Sequence, residues 1–326
     1  FYMERPRSSM VDTVNKVVKL IVPTHLDLGR VLRWALVLIL YLFTFSLLDQ
    51  LTHTLQLFPG VVAWYPPDGF SLAFLLTFGM GFTPAFTLAS LISSLVIYHL
   101  AGPLGPILSW AVILSTLYGF SALLLRRRIR IDPQLNNLRD VLWLILTSAI
   151  AATVLAISSV YTLIYYGGIP ASQYFNASVQ WWIGEMIGVL VFTPFMLVHV
   201  MPWLKQFIEG TLAISKRQYI FSRPSFQTIG QIISIPVIVY LVFGVPALRD
   251  LQPYYLIAGP LIWIALKNGF SRVSTAIVVI NFGIILAIWL WKFDTSHLGE
   301  FQFLMFGIYI SALLTGAVVT KQKKTE

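Results

Sequence analysis

The sequence predicts an all-α, polytopic membrane helix bundle of about ten spans, two of them short, with both termini cytoplasmic. Three observations carry that expectation. Of 326 residues, 57% are hydrophobic and 11% charged. A soluble domain carries roughly 25% charged residues, so a water-facing surface of this size cannot be built here. The apolar residues come in long unbroken blocks. The basic residues collect in the short segments between alternate blocks.

The candidate spans are 31–48, 68–80, 84–100, 103–125, 140–166, 177–203, 228–247, 253–267, 273–291 and 302–320. Spans 68–80 and 253–267 fall short of the ~20 residues a straight crossing needs. Each is joined to the next by a few residues, which reads as a half-buried helix packed inside the bundle. With the N-terminus cytoplasmic, all 22 basic residues except Arg249 and Lys292 fall in cytoplasmic segments. A wrong span count would scramble that bias. The formal charge of +9 therefore reports orientation, and Arg126-Arg127-Arg128-Ile129-Arg130 reads as a stop-transfer and anionic-lipid contact rather than a nucleic-acid site.

Residues 1–30 hold no compact apolar stretch ending in a cleavage site, so no signal peptide is read there. Met10, Val11, Val14, Val17, Val18 and Ile21 recur at helical spacing, opposite Asp12, Asn15, Lys16 and Lys19. Two readings fit: an amphipathic helix on the cytoplasmic membrane surface, stopped by Pro23, or a lead-in to the first span. The chain thus divides into a lead-in (1–30), a membrane domain (31–320) and a cytoplasmic tail or start of a linker (321–326).

A weak internal repeat marks the two short spans. Tyr65, Gly69, Leu76 and Gly79 align with Tyr255, Gly259, Leu266 and Gly269 at an offset of 190 residues. Four matches in apolar sequence are near chance. Parallel repeats do occur in transport folds.

Two stretches could carry chemistry. In Ala63-Trp64-Tyr65-Pro66-Pro67-Asp68-Gly69, the prolines force an extended entry and then start a helix. Trp64 and Tyr65 suit a membrane interface. Asp68 either caps the helix, near the positive end of its dipole, or lines a pocket open to the outside. In Trp181-Trp182-Ile183-Gly184-Glu185-Met186-Ile187-Gly188, Glu185 is a carboxylate inside an apolar span. Such a group costs several kcal/mol unless paired or solvated, and so defaults to a functional hypothesis. It is expected to face the bundle, neutral or paired with a polar group from another span. The bland alternative is a protonated acid bonded to a neighbouring backbone. Gly184 and Gly188 form a face for close helix approach, and Pro194 predicts a kink.

The excluded chemistry is wide. There is no cysteine, so thiolate metal sites and cysteine nucleophiles are absent. His25, His53, His99, His199 and His297 show no ligand spacing. No phosphate loop, nucleophile elbow or HExxH pattern occurs. No catalytic residue, metal or cofactor is assigned.

These two stretches resemble the MASE class of membrane-associated sensor domains, the larger type found at the N-terminus of bacterial histidine kinases and diguanylate cyclases. That family shows a Trp-Pro-Pro-x-Gly stretch followed by an apolar span and a glycine. Trp64 through Gly69 and on to Gly79 is similar to it, with one residue inserted between Trp64 and Pro66. The family also shows Trp-Trp-x-Gly-Asp-x-x-Gly and then a proline. Trp181 through Gly188 and Pro194 is similar to that, with Glu185 in place of the aspartate. Leu261 to Gly269 looks like a third element, an apolar span closed by a polar residue and glycine. Asp68 departs from the pattern, where a small or neutral residue is expected. The resemblance spans roughly residues 35–320.

The resemblance implies a sensory input module of the bacterial inner membrane. It would detect a membrane or extracytoplasmic stimulus and signal through the last span to a cytoplasmic output domain of a two-component or cyclic-di-GMP system. It also implies a homodimer, by family analogy alone. The rival readings are a transporter, with Asp68 and Glu185 at a central site, and a structural subunit of a larger membrane complex. Partners are then the lipid bilayer, a second copy, and either another membrane protein or a signalling domain. Asp68 begins a span entering from outside, and Glu185 lies about 6 Å below Trp181 along its helix. If the two spans pack together, Trp64, Asp68, Trp181, Trp182 and Glu185 line one outward pocket, helped by Gly69 at the helix contact. The alternative places the two motifs on opposite sides of the bundle.

Overall fold

The computed structural model describes residues 27–53, 56–58, 60–96, 104–211, 226–245, 253–292 and 298–326. The amphipathic segment expected within 1–30 lies outside these, as do His25, His99 and His297.

Among the described residues ten helices follow one another where the apolar blocks predict them. They are α1 (Leu28–His53), α2 (Pro66–Phe78), α3 (Thr83–Val96), α4 (Leu104–Leu123), α5 (Leu138–Tyr165), α6 (Tyr174–Phe195), α7 (Phe226–Val239), α8 (Ala258–Asn268), α9 (Phe270–Trp291) and α10 (Leu298–Thr325). Three of them widen into π-helical turns at their C-terminal ends: α4 at Leu124–Ile129, α6 at Met196–Val200 and α7 at Tyr240–Gly244. α6 then runs on as Met201–Glu209. Among the described residues seven helices, counted with these extensions, are long and apolar enough to cross a membrane; α2, α8 and the described part of α3 are shorter. The sequence anticipates the shortness of α2 and α8. One small addition breaks the all-α pattern, an antiparallel hairpin of β1 (Gln56–Phe58) and β2 (Val61–Val62) between α1 and α2.

The hairpin marks one end of the bundle. Its neighbours are the C-terminal ends of α1, α3 and α5 and the N-terminal ends of α2, α4 and α6. Every described Lys and Arg except the exposed Lys292 lies at the opposite, basic end. There Arg33 pairs with Asp27 at 3.4 Å and donates from Nε to the Ile208 carbonyl at 3.1 Å.

α6 is the central post. In its most apolar stretch 67% of residues are buried, against 22% for α1. Leu36, Ile39, Phe43 and Leu47 on α1, and Leu146, Ile150, Val154 and Ile157 on α5, are exposed and form the lipid-facing surface. Lipid tails are as apolar as leucine, so close packing rather than apolar burial holds such helices together. Tyr41 anchors α1 by that means: its ring stacks on Phe70 at 5.3 Å and its hydroxyl meets Ser71 Oγ at 2.7 Å.

The repeat seen faintly in sequence extends to whole elements. At the same offset α1 to α4 recur as α7 to α10 in the same order. Gly79 closes α2 at φ 87°, and Gly269 closes α8 at φ 81°. Each donates its N–H back to the fourth residue before it, Leu75 and Ala265. That left-handed geometry suits glycine. The likeness stops at Gly69 and Gly259: the first is pressed against α6, whereas a Cβ on the second meets nothing.

Candidate functional site

The glycines of both motifs make the site possible. A Cβ on Gly69 would overlap the Gly188 carbonyl, one on Gly188 the Tyr65 carbonyl, and one on Gly184 the Val62 carbonyl. α2 and its extended entry therefore lie backbone to backbone along α6. Two bonds clip them there: Tyr65 donates its N–H to the Gly184 carbonyl at 3.1 Å, and Thr193 donates its hydroxyl to the Gly69 carbonyl at 2.8 Å. Pro66 and Pro67 occupy the first helical positions, where a missing N–H costs nothing. Pro194 lies inside α6, and the ladder widens two residues later into the π turn. A proline that cannot donate to the carbonyl four residues back explains loosening at this point.

This contact carries two acids into the interior. Glu185 is 3% exposed and faces the bundle. Its carboxylate accepts from Trp181 Nε1 at 3.0 Å and from the Tyr118 hydroxyl of α4 at 3.2 Å. Asp68 is fully buried in the first turn of α2, beside Glu185. Neither of its oxygens is met by an N–H or O–H donor among the described residues. Two carboxyls in contact bond only through a proton held by one of them. The Asp68 side chain thus caps no helix amide: the acid pair is its setting.

Beside Glu185 lies a cavity of about 80 Å³ at the hairpin end. Asp49, at the end of α1, contributes the second carboxylate; it accepts from the Ser93 hydroxyl of α3 and, at 3.4 Å, from that of Thr52. Ser90, Ser93 and Ser94 supply hydroxyls from α3, and Tyr65, Trp110 and Trp181 supply aromatic surface. The two indoles lie 5.4 Å apart between ring centres.

Of the five residues expected in one pocket, Trp181 and Glu185 line this cavity and Asp68 stands against Glu185. Trp64 and Trp182 do not line it. Trp64 is buried rather than interfacial, packed between Phe192 and Phe282 at 5.9 and 5.7 Å. It borders a smaller cavity of about 40 Å³ with Asn281 and Gln302. Trp182 turns away, donates to the Ala149 carbonyl at 3.1 Å and packs edge-on against Phe306 of α10. Successive residues on a helix point about 100° apart, so adjacent tryptophans cannot share a face. Sequence reading missed Asp49, Tyr118, Trp110 and the serines. A signal existed: Ser90, Ser93 and Ser94 stand at helical spacing in an apolar block.

Fold and site together define a multi-pass membrane protein with a polar cavity built inside its helices. The MASE1 family model matches residues 33–323. The chain belongs to the MASE1 family, a family of membrane-associated sensor domains. No curated protein and no solved structure shows a match.

Proposed function

We propose that this chain is the input module of a bacterial plasma-membrane sensor whose stimulus enters the cavity between Asp49 and Glu185 from outside the cell. The gathering of Lys and Arg at one end of the bundle supports a cytoplasmic basic end and, with it, an outward hairpin end that carries the cavity. The carrying observation is the segment Val62–Tyr65. Val62 and Tyr65 line the cavity, while the Ala63 carbonyl accepts from Gln302 Nε2 on α10. One short stretch of chain therefore touches the ligand space on one side and the last helix on the other. A ligand that favours one arrangement of this stretch shifts α10 by its differential affinity for the two states. α10 would pass the shift to a cytoplasmic output domain, in a homodimer.

Two experiments test this. For topology, a reporter fused after Glu326 or inserted at Lys216 is expected in the cytoplasm and one at 168–176 outside; an external Lys216 reporter would overturn the orientation. For transmission, Gln302→Leu leaves the Ala63 carbonyl without its partner, at a cost of about 1–3 kcal/mol. The folded protein should survive, and an output domain fused after Glu326 should lose its response to stimulus. An unchanged response would remove α10's link to the hairpin from the mechanism.

The repeated short helices favour a second reading, a transporter. Substrate flux in proteoliposomes would support it over the sensor.

A further inference from the structure

We infer that the small cavity beside Trp64, Asn281 and Gln302 binds a neutral hydroxyl group, that of water or of a one- or two-carbon alcohol, held between Trp64 Nε1 and Gln302 Oε1. This is a different cavity from the one beside Glu185, and the inference stands whichever stimulus that one takes.

Two complementary atoms carry it. Trp64 is 4% exposed and Gln302 2%, and both line this cavity of about 40 Å³. The Trp64 indole N–H and Gln302 Oε1 each lack a hydrogen-bond partner among the described residues. The other end of the Gln302 amide fixes its orientation: Nε2 donates to the Ala63 carbonyl, where an oxygen would be repelled. Oε1 can only accept, and an indole N–H can only donate. The two do not bond to one another. Buried polar atoms ordinarily have partners, and a group that both accepts and donates satisfies this pair at once.

Charge and size narrow the class. Among the described residues no Asp, Glu, Lys, Arg or His lines the cavity, so an ion there would be buried without a counter-charge. The third polar side chain in the wall is Asn281. Its Oδ1 accepts from the Tyr309 hydroxyl at 3.0 Å, and its amide nitrogen carries further N–H donors. Ile187, Ile284 and Ile288 make much of the remaining wall hydrocarbon. A hydroxyl oxygen matches this set, because it accepts twice and donates once. In an alcohol its remaining bond is to carbon, which suits the isoleucines; in water it is a second O–H. A buried water needs about 10–15 Å³ of such space. The cavity of about 40 Å³ therefore admits about three heavy atoms, the number in ethanol. Such an occupant would join the entry of α2 to α10, alongside the direct bond from Gln302 to Ala63.

Indole N–H spectra of the ¹⁵N-tryptophan-labelled chain in nanodiscs test this, with the Trp64 signal assigned by its loss in Trp64→Phe. The probes are water, ethanol and dimethyl ether, the isomer of ethanol that accepts but cannot donate. A cross-relaxation contact between the Trp64 indole proton and a bound water is expected, and ethanol should replace it with a saturable shift. Dimethyl ether should bind about 5-fold more weakly, the effect of one hydrogen bond. Trp289, 74% exposed, reports what alcohol dissolved in the bilayer does by itself. Gln302→Met removes the acceptor and should erase the preference for ethanol over the ether; if that variant does not fold, the comparison in the wild type decides alone. Water contact without an ethanol response would keep the hydroxyl site and assign it to water. A Trp64 proton with neither water contact nor ethanol shift would overturn the proposal. So would equal binding of ethanol and dimethyl ether, or an unsaturable shift at Trp64 like that at Trp289.

Discussion

Gly188→Val should prevent the bundle from assembling, whereas Gly307→Ala should be tolerated. At Gly188 the first atom of any side chain overlaps the Tyr65 carbonyl, with Pro66 nitrogen close behind. Backbone cannot turn aside as a flexible side chain can, so α2 and α6 must separate. That separation breaks the Tyr65 to Gly184 bond and the Thr193 to Gly69 bond. It also opens the most extensive helix contact among the described residues. The expected loss is about 3–5 kcal/mol, in the range that single substitutions reach by overpacking together with a broken buried network. At Gly307 an added Cβ meets nothing within 4 Å, and alanine is the better helix former. Detergent-solubilised protein from both variants should differ plainly in thermal melting and in gel filtration. Equal behaviour would mean that the backbone contact does not hold α2 to α6.

Glu185 gives the second large effect, with a graded series. Glu185→Leu removes the acceptor for two buried donors, Trp181 Nε1 and the Tyr118 hydroxyl. Each orphaned donor costs about 1–3 kcal/mol. Asp68 loses the acid beside it at the same time. Poor assembly and no signalling are expected. Glu185→Gln keeps one carbonyl oxygen to accept and the same shape, so it should fold. Adding Tyr118→Phe to Glu185→Leu removes one stranded donor and should recover part of the stability. A leucine variant as stable as the wild type, or no recovery in the double variant, would show that these hydrogen bonds contribute nothing.

Much of this architecture is legible in the residues themselves. Length of apolar block, placement of Arg and Lys, and the Gly-x-x-x-Gly spacing each have a one-dimensional signature, because a bilayer forces every span to satisfy its own backbone. The helices accordingly begin and end close to the predicted bounds. Glu185 stands out for the same reason, a charge where hydrocarbon is expected. Its partners do not stand out. Tyr118 and Trp110 are ordinary aromatic residues in an apolar span, and Asp49 sits where a span end would be solvated. Only the packing of α1, α3 and α4 around α6 brings them to Glu185. Trp64 and Trp182 mislead in the opposite direction. Sequence proximity to an acid suggested a shared pocket, but the helical turn points Trp182 at α10 and the extended entry tucks Trp64 against Phe192 and Phe282.

The most direct test of the sensory cavity exploits the absence of cysteine from this chain. Ser94→Cys places one thiol in the cavity wall on an otherwise unreactive background. Intact cells are treated with a charged, membrane-impermeant methanethiosulfonate, and output is read from a signalling domain fused after Glu326. Modification from outside, with output locked in one state, is the predicted result. A thiol that reacts only after the cytoplasmic face is exposed, or one that reacts from outside and leaves the output unchanged, would contradict an outward-facing sensory cavity.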